Sequence, residues 1–586
     1  MPPLIPTLLA LTALISTSAA KTDQKLLGPS FELPTNIPSN QAVKDAVANI
    51  TNSLNQAIRT GNSPFGRFNS STTSFSLTVV SQSDADPIVD FHHTSGGLNV
   101  SAGSTTKVTA DSIYRIGSVS KLFTVYALLL NNGIEHWNHP VTDYVPELRD
   151  AAKHTPPGTS AIDHVQWDQV TVGALASQLT GIGRDYNNGD MASQSFPWVE
   201  SGLPELLPQD IPACAGNSSL PPCNRQEYFQ GYIKRHPVFA PYAKALYSNA
   251  AYRILAYVIE AITKRSYADV LDQDVFKPLG MKHSSTDVPI IKGVGVIPDG
   301  EPDWYRDFGD EVPTGGLLSS TNDLAAFGRA IFANRQLSSM ETLRWMKPNS
   351  LTSSTSLAVG APWEIVRTRT DIRAGTLVDL YTKSGSIGAY ESLIILVPDY
   401  QVTFAIIAGG PDASLAETIA GETAVQALLP ALERASRAEA CQKFCGEYRP
   451  SLSSSLNSSL VLAVDDRPGL LVKQWISRGS DLVLLAQAYA NATRGGHIQS
   501  VRLYPAGIKA QNQAAYRAVF QTVPYDSDPS THFVFDPAAE IWATPDNLVY
   551  GAIAVDDFVF RLDDQGAATA VEPRVLREVL ERTKGL

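Results

Sequence analysis

Strand-like runs stand at both ends of the first 430 or so residues, with helical patterns between them. Ser74–Val80 and Pro87–His92 come early. Leu377–Lys383, Glu391–Val397 and Gln401–Ile407 come late, and all are rich in aliphatic and β-branched residues. Residues 121–345 are mostly helical patterns broken by long loops, and helical spacing returns over Asp412–Ser436. Such an order predicts one sheet built from both ends of a domain and packed against helices, an α/β (α+β) architecture. Before the first strand, an extended lead-in with Pro29, Pro34 and Pro38 precedes an amphipathic helix around Gln41–Ile58.

Near residues 437–455 the composition shifts into a serine-rich stretch, Ser451–Ser459. Short alternating or apolar runs follow, such as Gly469–Ile476 and Asp556–Leu562, with turn residues between them. They predict a small all-β C-terminal domain over 437–586, a barrel or a sandwich, behind a first domain over 21–436. A chain of 586 residues has room for two such domains, and no internal repeat is visible.

Residues 1–20 carry no Lys, Arg, Asp or Glu. Their short apolar centre, Leu8–Ile15, runs into Ser16–Ala20, small residues suited to signal-peptidase cleavage before Lys21. A signal peptide is the expectation and an uncleaved anchor its alternative. The four cysteines form two close pairs, Cys214/Cys223 and Cys441/Cys445, each able to close a small loop as a disulfide in an oxidising compartment. A zinc site is the rival, but no histidine stands at ligand spacing. Six Asn-x-Ser/Thr sequons occur, at Asn49, Asn69, Asn99, Asn217, Asn457 and Asn491. Together these features predict a secreted glycoprotein. The net charge of −12 argues against a nucleic-acid partner or an anionic membrane surface.

Ser118-Val119-Ser120-Lys121 lies between the strand-like Ser112–Gly117 and the apolar helix-like Leu122–Leu130. A serine at a helix mouth sits near free backbone N–H groups, and a lysine three residues on shares its face. An amine beside an alcohol is the minimum equipment for a serine nucleophile without histidine. Ser-x-x-Lys recurs at Ser18 and Ser104, and Tyr-x-Asn occurs at Tyr186, Tyr247 and Tyr489. Lys383-Ser384-Gly385, at a strand end, is the only Lys-Ser/Thr-Gly. The order and setting of Ser118, Tyr247 and Lys383 carry weight that no single motif does.

With these three motifs the chain resembles the serine β-lactamase and penicillin-binding-protein superfamily, in its class C branch. Further stretches are similar to family segments: Asn131–Ile134, Pro140–Leu148, Val170–Ile182, Phe276–Met281 and Gly315–Leu324. The resemblance spans about residues 65–430 and implies an antiparallel sheet flanked by a helical subdomain. It implies that Ser118 is the acylated nucleophile and that Lys121 takes or relays its proton. Tyr247 would be a general base or acid, its phenolate favoured by ammonium groups from Lys121 and Lys383. Which of Lys121 and Tyr247 is the working base stays open. Asn249, facing the same way in an extended segment, would hold Lys121 and the substrate amide. Lys383 and Ser384 would meet a substrate carboxylate or carbonyl beside Gly385, and the N–H groups of Ser118 and Ser386 would form an oxyanion hole. The stretch between Ser118 and Tyr247 is longer than the family usually has, with the excess in Asp185–Arg235.

The expected activity is a secreted serine hydrolase acting on an ester or amide bond of a small molecule or peptide, with no cofactor or metal. An acyltransferase, transesterase or peptide cyclase using the same acyl-enzyme is the nearest alternative. A non-catalytic ligand-binding protein that kept the fold is the other.

Overall fold

A computed structural model describes residues 25–584, apart from 155–160, 187–189, 194, 215–219, 372–374, 452–455, 494–495 and 525–540. The leader at 1–20 and Asn217 lie outside the described residues. The chain forms two compact units, one of Leu33–Ser436 and one that joins Arg437–Leu586 to the segment ending at Glu32.

The first unit is organised by an eight-stranded sheet. Its strands are β1 (Ser74–Ser81), β2 (Val89–His93), β3 (Ser350–Leu351), β4 (Leu357–Val359), β5 (Glu364–Arg369), β6 (Leu377–Ile387), β7 (Tyr390–Val397) and β8 (Val402–Gly409). They lie in the order β2-β1-β8-β7-β6-β5-β4-β3, every neighbour antiparallel. The pairing of β1 with β8, from Ser74↔Gly409 to Ser81↔Val402, joins the two ends of the unit. The separated strand runs predict five of these strands joined in this way, whereas β3, β4 and β5 at one edge have no counterpart in that reading.

Period-two alternation gives the sheet two buried faces. Phe404 and Ile406 of β8 and Ile395 and Val397 of β7 point to one side, where helix α1 (Gln41–Thr60) covers them with Ile50 and Leu54. Ala405 and Ile407, with Ile394 and Leu396, point to the other. There they meet helices α2 (Ser120–Leu130) and α3 (Asn249–Thr263) through Leu122, Phe123 and Leu255. Asn40 caps α1 by accepting from the Ala42 N–H, and Gly61 ends it at φ 69°. Helix α4 (Ala413–Phe444) adds Ala420 and Leu428 to the α1 side of the sheet.

In the second unit eight antiparallel strands close into a barrel. They are β9 (Gly446–Arg449), β10 (Ser459–Ala463), β11 (Leu470–Ser477), β13 (Gly496–Ala510), β14 (Gln513–Pro524), β15 (Asp557–Leu562), β16 (Ala568–Pro573) and β17 (Leu580–Lys584), with short β12 (Ser480–Asp481) added beside β11. The ring runs β10-β9-β17-β16-β15-β14-β13-β11 and closes where β11 pairs with β10. Trp475, Tyr448, Leu503, Phe558 and Phe560 fill it. Residues 25–32 pack here rather than with the first unit, where the sequence reading had placed them. Phe31 is buried in this core and Glu32 pairs with Lys509 at 2.5 Å.

Both cysteine pairs, Cys214–Cys223 and Cys441–Cys445, are disulfide-bonded. Asn49, Asn69 and Asn457 are exposed and Asn99 is half-buried, whereas Asn491 falls in the helix Leu482–Thr493. Among the described residues, no helix is long and apolar enough to cross a membrane.

Candidate active site

Ser118 occupies a tight turn, Gly117–Val119, that feeds directly into α2. Gly117 has φ +47°, and a Cβ there would lie 2.6 Å from the Ser386 backbone nitrogen. A Cβ on Gly385 would lie 2.8 Å from the Ser118 nitrogen. Two glycines thus let β6 lie directly against the nucleophile turn and bring the backbone of Ser118 and Ser386 together. Ser120 fastens the turn from within: its hydroxyl donates to Gly117 O at 2.7 Å and accepts from the Leu317 N–H at 3.1 Å.

From Ser120 to Leu129 every residue of α2 is buried, so Lys121 enters the protein interior. Its Nζ lies 2.9 Å from Ser118 Oγ and donates to the Thr314 carbonyl at 2.5 Å. Burial, then the charge of Lys383, hold Lys121 well below the usual lysine range, against the pull of Asp185, Glu311 and Glu364. Tyr247 Oη donates to the same Ser118 Oγ at 2.5 Å. The Lys121 nitrogen stands 4.9 Å from the centre of the Tyr247 ring, and that of Lys383 stands 5.4 Å from it. Ser118, Lys121, Tyr247 and Lys383, separated in the chain, therefore share one cluster.

The expected phenolate is overturned. Burial pushes the Tyr247 phenol up to about 12, with Glu364 and Asp185 raising it further against the Ser118 hydrogen bond and Arg184. The two lysines do not act as free ammonium groups beside it. One is desolvated, and the other is ion-paired to Glu364.

Asn249 is also placed differently. It is the first residue of α3, not part of an extended segment, because Ser248 caps the helix by accepting from the Ala251 N–H. Asn249 Nδ2 donates to Asp185 Oδ2 at 3.1 Å, and no hydrogen bond joins it to Lys121. Burial raises the Asp185 carboxyl to about 6, against the Asn249 hydrogen bond and the charges of Lys121 and Arg184. Ser248 also ties Tyr247 in place: its N–H donates to Gln178 Oε1 at 2.7 Å and its hydroxyl to Gly183 O at 2.9 Å.

Lys383 lies on the same face of β6 as Tyr381, towards α2, and is buried. Its ammonium is bound by Glu364 and by the Ser384 carbonyl at 2.8 Å. Ser384 donates both its N–H and its hydroxyl to Glu364 Oε2, each at 2.9 Å. The side chain of Ser386 turns away to Glu391 at 2.7 Å, leaving only its backbone near Ser118.

Glu364, Asp185 and Thr314 were missed by sequence reading, since none belongs to a motif. Arg253 of α3 was missed as well. It donates to Glu311 Oε1 at 2.6 Å and to the Cys223 carbonyl at 2.8 Å. Glu311 O in turn accepts from Thr314 Oγ1 at 2.8 Å, so Arg253 braces the segment that holds Lys121. Its side chain is 2% exposed and that of Glu311 22%. Replacing Arg253 with Met should lower stability by about 3 kcal/mol, since the carboxylate is left without its partner. Urea unfolding checks this, and a loss under about 0.5 kcal/mol, the size of an ordinary surface substitution, would refute the bracing role.

A family model described as "Beta-lactamase" matches residues 91–425, and one described as "Beta-lactamase-like-like, C-terminal domain" matches residues 436–584. The chain is 29% identical over 583 residues to a "Beta-lactamase-like protein" of Arthroderma benhamiae, covering 94% of each. It is 25% identical over 437 residues to a "Probable hydrolase M10" of a Phoma species, covering 73% of this chain and 70% of the relative. Among solved structures, a class C beta lactamase from Rhodobacter sphaeroides aligns at 17% identity and TM-score 0.46, over 65% of this chain and 99% of that one.

Proposed function

The chain belongs to the β-lactamase family, and on that premise we propose that it is a secreted serine hydrolase that opens an ester or amide bond through an acyl-enzyme on Ser118. One observation carries the reading: Lys121 Nζ and Tyr247 Oη both lie within hydrogen-bond distance of the Ser118 hydroxyl.

The burial of Lys121 favours a neutral amine, which is a base. The Ser118 O–H donates to that amine as its oxygen attacks the substrate carbonyl carbon, and Lys121 becomes the ammonium. The carbonyl oxygen takes the negative charge between the N–H groups of Ser118 and Ser386. Collapse expels the alcohol or amine, which takes its proton through Tyr247, and the ammonium of Lys121 restores the phenol. Tyr247 is the proton donor of this scheme, because burial keeps its phenol protonated. Water then attacks the acyl carbon, giving one proton to Lys121, and the acid leaves as Ser118 regains its hydrogen.

Secretion is supported by the two disulfides and by the leader-like residues 1–20. Glycans at Asn49, Asn69 and Asn457 would sit on exposed side chains. The reading is tested by assaying the purified protein against p-nitrophenyl esters, nitrocefin and D-amino-acid amides, with and without an alcohol or amine acceptor. Ser118-dependent release of free acid is expected. Acyl products formed only when an acceptor is present would replace hydrolysis with acyl transfer. No Ser118-dependent turnover of any of them would count against an enzyme of this class.

A further inference from the structure

Glu364 occupies the hydrogen-bonding groups that the Lys-Ser-Gly motif is expected to offer a substrate. It is the first residue of β5 and stands opposite Thr382 on β6, whose hydroxyl donates to the Glu364 carbonyl at 2.6 Å. That register carries the carboxylate to the motif. One oxygen binds the Lys383 ammonium, and the other accepts from Ser384 N and Ser384 Oγ. The Lys383 side chain is 2% exposed, while that of Glu364 is 29% exposed. The motif therefore presents the anion to solvent rather than the cation. Arg184, an exposed cation stacked 4.7 Å from the Tyr247 ring, is likewise offset, 3.6 Å from Asp185 Oδ2.

A carboxylate brought to this place by a substrate would meet Glu364 and find the donors of Lys383 and Ser384 already engaged. Like charges set against each other in a binding site are strongly disfavoured. We propose that Glu364 is a specificity-determining residue that restricts the enzyme to substrates with no carboxylate on the leaving group beside the scissile bond, that is, esters or amides with a non-anionic leaving group. The inference rests on the acyl-enzyme reading of Ser118. Of the two groups that Lys383 and Ser384 were expected to meet, a substrate carboxylate or carbonyl, it removes the carboxylate.

The test uses two esters with one acyl group and different leaving groups, phenol and 3-hydroxybenzoate, each rate corrected for its hydroxide-catalysed hydrolysis. The full chain, Glu364→Gln and Ser118→Ala are compared by kcat/KM. The unmodified protein should favour the phenyl ester by about tenfold or more, and Glu364→Gln should shrink that preference by about tenfold. Equal or better turnover of the carboxyphenyl ester by the unmodified protein would overturn the proposal, and that comparison needs no folded variant. A preference unchanged in a folded Glu364→Gln would also overturn it, while leaving Ser118-dependent turnover intact. Turnover of neither ester, or turnover that survives Ser118→Ala, would sink the acyl-enzyme reading and this assignment with it.

Discussion

A Ser118→Ala chain should unfold within about 1 kcal/mol of the unmodified protein and lose roughly 10^5- to 10^6-fold in kcat/KM. The loss is large because the nearest aliphatic hydroxyl along the chain cannot stand in. Ser120 is the nearest in sequence, and its O–H is already given to Gly117 O while its oxygen accepts from Leu317. Lys121 and Tyr247 would remain but would face a methyl group. Thermal melts alongside ester hydrolysis separate the two effects. A variant with more than about a hundredth of the starting rate would show that another group attacks the substrate.

Lys121→Met should cost about 10^3- to 10^4-fold in rate, the upper end of what a positioned base supplies, while leaving stability unchanged or raised. Burial lowers the proton affinity of Lys121 in the folded state. Between that depressed value and the ordinary lysine range, the unfolded chain holds a proton that the folded chain lacks. Stability therefore rises with pH across that window, and at neutral pH the lysine is a net cost that Met removes. The same titration should shape catalysis. The rate should fall with decreasing pH as Lys121 takes a proton, and the ascending limb should lie well below the ordinary lysine range. A limb seen only above about pH 10 would mean that Lys121 enters the reaction as an ordinary solvated ammonium.

Five strands of the sheet were legible because they are local runs of apolar residues, and their separation along the chain left one economical topology; β3 and β4 are too short and β5, with Glu364, Arg367 and Arg369, too charged to show such a run. Helix α2 was legible for the same reason, as Leu122–Leu130 is apolar apart from Thr124 and the Tyr126 hydroxyl. Ser118, Lys121, Tyr247 and Lys383 could be singled out by motif order, which the resemblance supplied. Glu364 could not, because it reaches Lys383 only through the antiparallel register of β5 on β6. Tyr247 was misjudged on charge: counting two nearby lysines gave the wrong direction once burial and the Glu364 pair were present. Asn249 had a readable signal that went unused, a serine directly before a helix-forming run, the mark of an N-cap. Residues 25–32 offered no pattern, since a short extended segment packs wherever a single side chain such as Phe31 finds a core.

The central claim is that one hydroxyl, activated by a buried amine and a protonated phenol, becomes covalently acylated. The measurement that tests it most directly is peptide mass mapping after treatment with an irreversible fluorophosphonate. The account predicts one adduct, on the peptide that contains Ser118, formed more slowly in Lys121→Met and absent in Ser118→Ala. An adduct at any other residue, or equal labelling of the Ser118→Ala chain, would contradict it.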